Sequence, residues 1–227
     1  SFSILGDFVR EVGGERIALT TLVGPDGDAH VYSPSPADAK AMAAARLVVV
    51  NGLKFEGWLT RLLRSSGTKA ALATATDGIV PLKLREAGHE HGHGHGSEDP
   101  HAWQSVANAR IYVANILKAL VAADPAGRAA YEANAAAYLA KLDGLQAEIL
   151  AAVARIPADR RKAITSHDAF AYFAKAYGIA FVAPQGVSTE AEASARDVGR
   201  IIRQVKAQKI SAVFLENISN PRLAEQI

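Results

Sequence analysis

Short apolar runs recur along the chain: IALTTLV (17–23), LVVVNGL (47–53), AALATA (70–75), KAITS (162–166), IAFVAP (179–184) and SAVFLE (211–216). Most are continuous rather than alternating, the pattern of strands covered on both faces in a parallel sheet. Between them apolar residues return in steps of three and four, as in ADAKAMAAA, FEGWLTRLLRSS, ANARIYVANILKALVAA, DAFAYFAKAYG and EASARDVGRIIRQVKAQ. Strand and helix alternate, which predicts an α/β protein built on mostly parallel sheets.

Two segments interrupt the alternation. Around GHEHGHGHGSED, glycines 88, 92, 94 and 96 remove helix and strand propensity and predict a solvated, flexible loop over 88–98. At Asp124-Pro125 a good N-cap meets a good first helical residue. The apolar side that follows runs Tyr131, Ala135, Tyr138, Leu142, Leu145, Ile149, Val153, Ile156, until Pro157 stops it. A helix of that length exceeds what a crossover between neighbouring strands needs, and α/β pattern flanks it on both sides. The expected organisation is an N-terminal lobe (1–123), a linking helix (124–156) and a C-terminal lobe (157–227). The chain opens on a helical pattern without a preceding strand and stops inside a helix begun at NPRLAEQI, so the second lobe is expected to be incomplete.

Composition narrows the function more than the fold. The 227 residues carry 25 basic and 23 acidic side chains, with no dense Lys/Arg block to track a phosphate backbone, so nucleic acid is not an expected partner. No apolar run approaches the roughly 20 residues of a membrane span. The chain has no cysteine, which excludes disulfides, thiolate ligands and a lipidated cysteine within it.

Histidine is the informative residue. Of seven, His89, His91, His93, His95 and His101 fall between 88 and 103. HEHGH at 89–93 matches H-E-x-x-H by letter, but that motif needs a helix to bring its histidines to one face, and glycines 92, 94 and 96 oppose one. Two readings stay open for the loop: an accessory weak metal binder, or a bland solvated loop. The other histidines stand at turns: His30 in GPDGDAHVYSPSPAD after the first apolar run, His101 in SEDPHAW before a helix, His167 in ITSHDAF after the run that opens the second lobe. Open α/β sheets gather ligands at such strand ends. Three neutral imidazoles would make a nitrogen site suited to Zn²⁺, whereas Mn²⁺ favours more oxygen. Asp28, Asp99, Asp168 and Glu216 are candidates to orient the imidazoles from behind, with Asp168 also placed to cap a helix. Trp58, Trp103, Tyr172 and Phe173 read as packing residues. Three imidazoles plus water is also a catalytic arrangement, with Glu216 as its base, but no nucleophile elbow, Walker loop or dinucleotide fingerprint accompanies it.

The blocks SFSILGDFVREVGG, VGPDGDAHVYSPSPADAKAMAAARLVVVNGLKFEGWL, EDPHAW, ITSHDAFAYFAKAYGI, PQGVSTEAEASARDV and VFLENISNPRLAEQI, in that order, resemble the zinc-binding branch of the cluster A-I solute-binding proteins of ABC importers. The resemblance covers nearly the whole chain. It implies two (β/α) lobes, a rigid linking helix and one metal in the cleft between them, with no catalysis. It places His30 at the first ligand of D-x-H-x-Y-x-P-x-P, His101 at the ligand of D-P-H-x-W, and His167 where manganese receptors generally carry Glu and zinc receptors His. A fourth ligand, often Asp, would fall beyond Ile227. One departure is QSV at 104–106, where the family often has L-D-P. The function implied is capture of Zn²⁺ by a periplasmic monomer, its signal peptide removed, and delivery to a permease. The histidine loop would then load the cleft, receiving zinc directly or from a metallochaperone. A manganese receptor of the same family is the alternative.

Overall fold

A computed structural model describes residues 1–83, 98–191, 193–208, 210 and 212–218. Two parallel two-stranded sheets anchor it. β1 (Leu47–Val50) pairs with β2 (Ala71–Thr74), Leu47 opposite Ala71 and Val50 opposite Thr74. β3 (Lys162–Ile164) pairs with β4 (Ala180–Val182), and the run 212–214 lies along the other side of β3, Ile164 N–H donating to Ala212 O and Phe214 N–H to Ile164 O. Chain reversal between parallel neighbours requires a crossover, supplied by helices as the alternating pattern predicts.

α1 (Ser3–Gly13) precedes both sheets. α2 (Pro36–Ala44) starts on a capping box in which Ser35 Oγ accepts from the Asp38 amide and Asp38 accepts from the Ser35 amide, so Asp38 sits inside the first turn and Ser35 is the cap. α3 (Leu59–Ser66) ends on Gly67, whose φ of +60° suits the left-handed cap. α4 (Val106–Ala123) is long and apolar enough to cross a membrane by length and composition alone. Its Tyr112, Val113 and Ile116 are instead fully buried in the hydrophobic core, which accounts for the apolarity.

After a 3-10 turn at Pro125–Gly127, α5 (Arg128–Ala154) runs 27 residues, about 40 Å. It packs on α1 and α4, with the Phe8 ring tilted against Tyr138 at 6.0 Å, and its later turns reach α6 (Ala171–Tyr177). α7 (Ala195–Gln208) completes the described elements.

Three sequence expectations are corrected. IALTTLV forms no strand beyond a bridge from Val23 to Phe2; residues 17–22 and β1 both contribute to the lining of a cavity of about 520 Å³. On α5 the apolar stripe is only partly buried: Tyr131, Ala135, Leu142 and Val153 are covered, but Leu145 is 44% exposed. Asp168 does not cap α6, whose N-cap is Phe170 with no side-chain cap bond.

Candidate metal centre

Each of the three scattered histidines is presented by a short turn after a strand or before a helix. His30 follows the GPDG turn, where Gly27 N–H donates to Gly24 O. Its amide donates to Asp28 Oδ1 (2.9 Å), and Trp58 Nε1 donates to Ala29 O (2.8 Å), which pins the backbone on both sides. His101 follows Asp99-Pro100 and heads a 3-10 turn, Ala102–Gln104. Pro100 O accepts from Asn51 Nδ2 (3.0 Å), and Asp99 O accepts from the Tyr172 hydroxyl (2.8 Å), itself the acceptor for Leu82 N–H. His167 follows β3 and bridges to Gln185 beyond β4.

The three converge. His30 Nε2 lies 3.1 Å from His101 Nε2, and His167 Nε2 lies 3.4 Å from it. All three are buried, at 8%, 1% and 3% exposure. One ligand atom from each lies within 4.8 Å of the others, the arrangement of a metal site. Bonds of about 2.0–2.1 Å at tetrahedral angles would set neighbouring nitrogens about 3.3–3.4 Å apart, close to what is seen.

The electrostatics favour a cation and disfavour a proton. Burial, with His101 and His167 alongside, pushes the His30 imidazole down to about 4. Burial likewise lowers His101, although Asp99 pulls it the other way. At neutral pH both therefore offer lone pairs. Imidazole nitrogens gathered in one buried space favour a positive charge between them, and a bound divalent ion would supply it.

Carboxylates stand behind two of the rings. Asp99 Oδ1 is 2.8 Å from His101 Nδ1, and Asp99 is fully buried. Glu216 Oε2 is 2.5 Å from His167 Nδ1, a close contact that is not an aligned hydrogen bond, while Glu216 Oε1 accepts from the Ser166 and His167 amides. Burial raises the Glu216 carboxyl, but the His167 ring and those amides outweigh it and hold it below the usual carboxylate range. A carboxylate at Nδ1 keeps the proton there and leaves the Nε2 lone pair facing inward. The other two candidates differ: Asp28 serves the His30 backbone, and the exposed Asp168 side chain bonds to none of the three rings. His89, His91, His93 and His95 lie outside the described residues.

The pattern of residue types did not point to Phe55, whose ring meets His30 edge-on at 4.6 Å and His101 at 5.8 Å, nor to Asn51, which ties β1 to Pro100. Tyr172, read as packing, is buried and also bonds the backbone of the His101 turn. A buried-looking Asn between VVV and Gly was the only available hint.

The family described as ZnuA, the periplasmic zinc-uptake complex component A, matches residues 1–227. The iron-binding protein YfeA of Yersinia pestis is 35% identical over 228 residues, spanning 100% of this chain and 71% of the relative. The manganese ABC transporter substrate-binding lipoprotein PsaA of Streptococcus pneumoniae is 33% identical over 226 residues, spanning 97% and 71%. A Mn-bound periplasmic metal binding protein from Candidatus Liberibacter asiaticus superposes with a TM-score of 0.87 at 30% identity, covering 100% of this chain and 82% of that one. The periplasmic zinc binding protein TroA from Treponema pallidum does so at 0.88 and 28%, covering 98% and 78%. The chain belongs to the zinc-uptake component A family, metal-binding receptors of ABC importers rather than enzymes.

Proposed function

We propose that this protein is a periplasmic receptor that captures Zn²⁺ through Nε2 of His30, His101 and His167 and presents it to the permease of an ABC importer. The observation that carries the reading is the convergence of three buried Nε2 atoms at 3.1 and 3.4 Å. An all-nitrogen set of imidazoles suits a borderline-soft ion, and the two carboxylates behind it raise the basicity of the rings without entering the shell. Titration of metal-free protein with Zn²⁺ tests it: one tight site is expected, severely weakened in His30→Ala, His101→Ala and His167→Ala alike. Unchanged affinity in all three variants would end the assignment.

Manganese is the second reading, favoured by relatives named for manganese or iron. Because most nitrogen sites bind Zn²⁺ more tightly than Mn²⁺ in isolation, affinity alone does not separate the two. The metal content of protein recovered from cells replete in both ions does, and zinc is expected to predominate.

A further inference from the structure

The three imidazoles come from both lobes, His30 and His101 from the first and His167 from the second, and all are buried, so parting the lobes would pull the ligand set apart. Besides the contacts among the histidines, two groups of side-chain bonds join the lobes among the described residues. One lies at the joint: the Tyr177 hydroxyl accepts from the Val106 amide and donates to Gln146 on α5, and Tyr172 bonds Leu82 and Asp99. The other involves none of these elements. Asp28 Oδ2 accepts from the Thr189 hydroxyl at 2.5 Å, while its Oδ1 holds the His30 amide. A few residues away, Asn217 Nδ2 donates to Pro25 O (2.8 Å) and Asp26 Oδ1 (2.9 Å).

These ties end on the backbone of the histidines themselves. Thr189 O accepts from Gln185 Nε2 (3.2 Å), and Gln185 bridges to His167, whose neighbour Asp168 donates its amide to Gly186 O. The path from His30 through Asp28, Thr189 and Gln185 to His167 is therefore continuous across the cleft. Asn217 adjoins Glu216, which holds His167 from behind. A hydroxyl donating to a carboxylate is among the stronger neutral-to-charged bonds, and this one lies in a half-buried setting.

We propose that Asp28 and Thr189 form a clasp that latches the second lobe to the His30 turn and sets the rate at which bound metal escapes. The inference rests on reading the three histidines as the metal site. Thr189 and Asp28 act as positioning residues, the first touching no imidazole and the second reaching His30 through its amide.

Co²⁺ gives a test with two readouts, its ligand-field spectrum and its transfer to an excess of chelator. Thr189→Val removes the hydroxyl at nearly constant volume. The expected result is a wild-type cobalt spectrum with release about tenfold faster, equivalent to about 1.4 kcal/mol. Asn217→Ala should speed release independently, whereas adding Thr189→Val to Asp28→Ala should add nothing. Wild-type release from Thr189→Val overturns the clasp, and so does an altered cobalt spectrum, which would mean that the hydroxyl shapes the shell instead of latching the lobes. Wild-type protein that takes up neither Co²⁺ nor Zn²⁺ overturns the metal-site reading itself, and the two failures are thus distinguishable.

Discussion

Asp99 Oδ1 meets His101 twice, at 2.8 Å from ring Nδ1 and 2.9 Å from the amide, in a place where neither residue is more than 1% exposed. One carboxylate thereby fixes both the turn and the tautomer of the central imidazole. Replacing it with a neutral acceptor, Asp99→Asn, is expected to weaken Zn²⁺ about tenfold, and Asp99→Ala up to about a hundredfold. Competition against a chromophoric chelator measures both.

The pH dependence of the metal-free protein follows from His30. Its folded value of about 4 lies below the ordinary 6.5, so the unfolded chain takes the proton more readily. The stability tied to this residue is complete above pH 6.5 and is lost as pH falls through the window to about 4, by about 3 kcal/mol at most. Urea unfolding of wild type and His30→Gln between pH 7 and 4 should show the steeper decline in wild type.

Tyr172→Phe deletes a hydroxyl that accepts from Leu82 and donates to Asp99 O. The loss leaves one backbone amide and one carbonyl short of a partner, a cost of about 1–3 kcal/mol in thermal unfolding. Zn²⁺ affinity should fall with it, because the Asp99 carbonyl belongs to the turn that carries His101.

At Gly52 the backbone has φ +89°, and a Cβ there would stand 2.5 Å from Thr74 Cγ2 and 2.9 Å from Thr76 Oγ1. The following Leu53 and Lys54 are also left-handed, at φ 53° and 62°. Gly52→Ala is expected to destabilise by about 3 kcal/mol. Differential scanning calorimetry reads the shift.

What the sequence disclosed depended on range. Helices α2 to α7 were visible as apolar periodicity, and β1 to β4 as apolar runs, because those signals are local. IALTTLV carried the same signal yet bridges only at Val23, to Phe2, because a strand needs a paired neighbour as well as a local pattern. His30, His101 and His167 stood out because turn chemistry places them at strand ends and helix entrances. The division of labour among the acids did not. Asp28 and Asp99 both stand two residues before a histidine, but only Asp99 reaches the ring; Asp28 reaches across the cleft to Thr189, 161 positions away. Contacts set by the approach of two lobes leave no mark on either local sequence.

Zinc-edge X-ray absorption on the loaded protein tests the central claim most directly, since imidazole leaves a distinctive outer-shell signature around the ion. Three imidazole nitrogens at about 2.0–2.1 Å are expected, falling to two in His167→Ala. A shell dominated by oxygen, with no more than one imidazole, would contradict the three-histidine site.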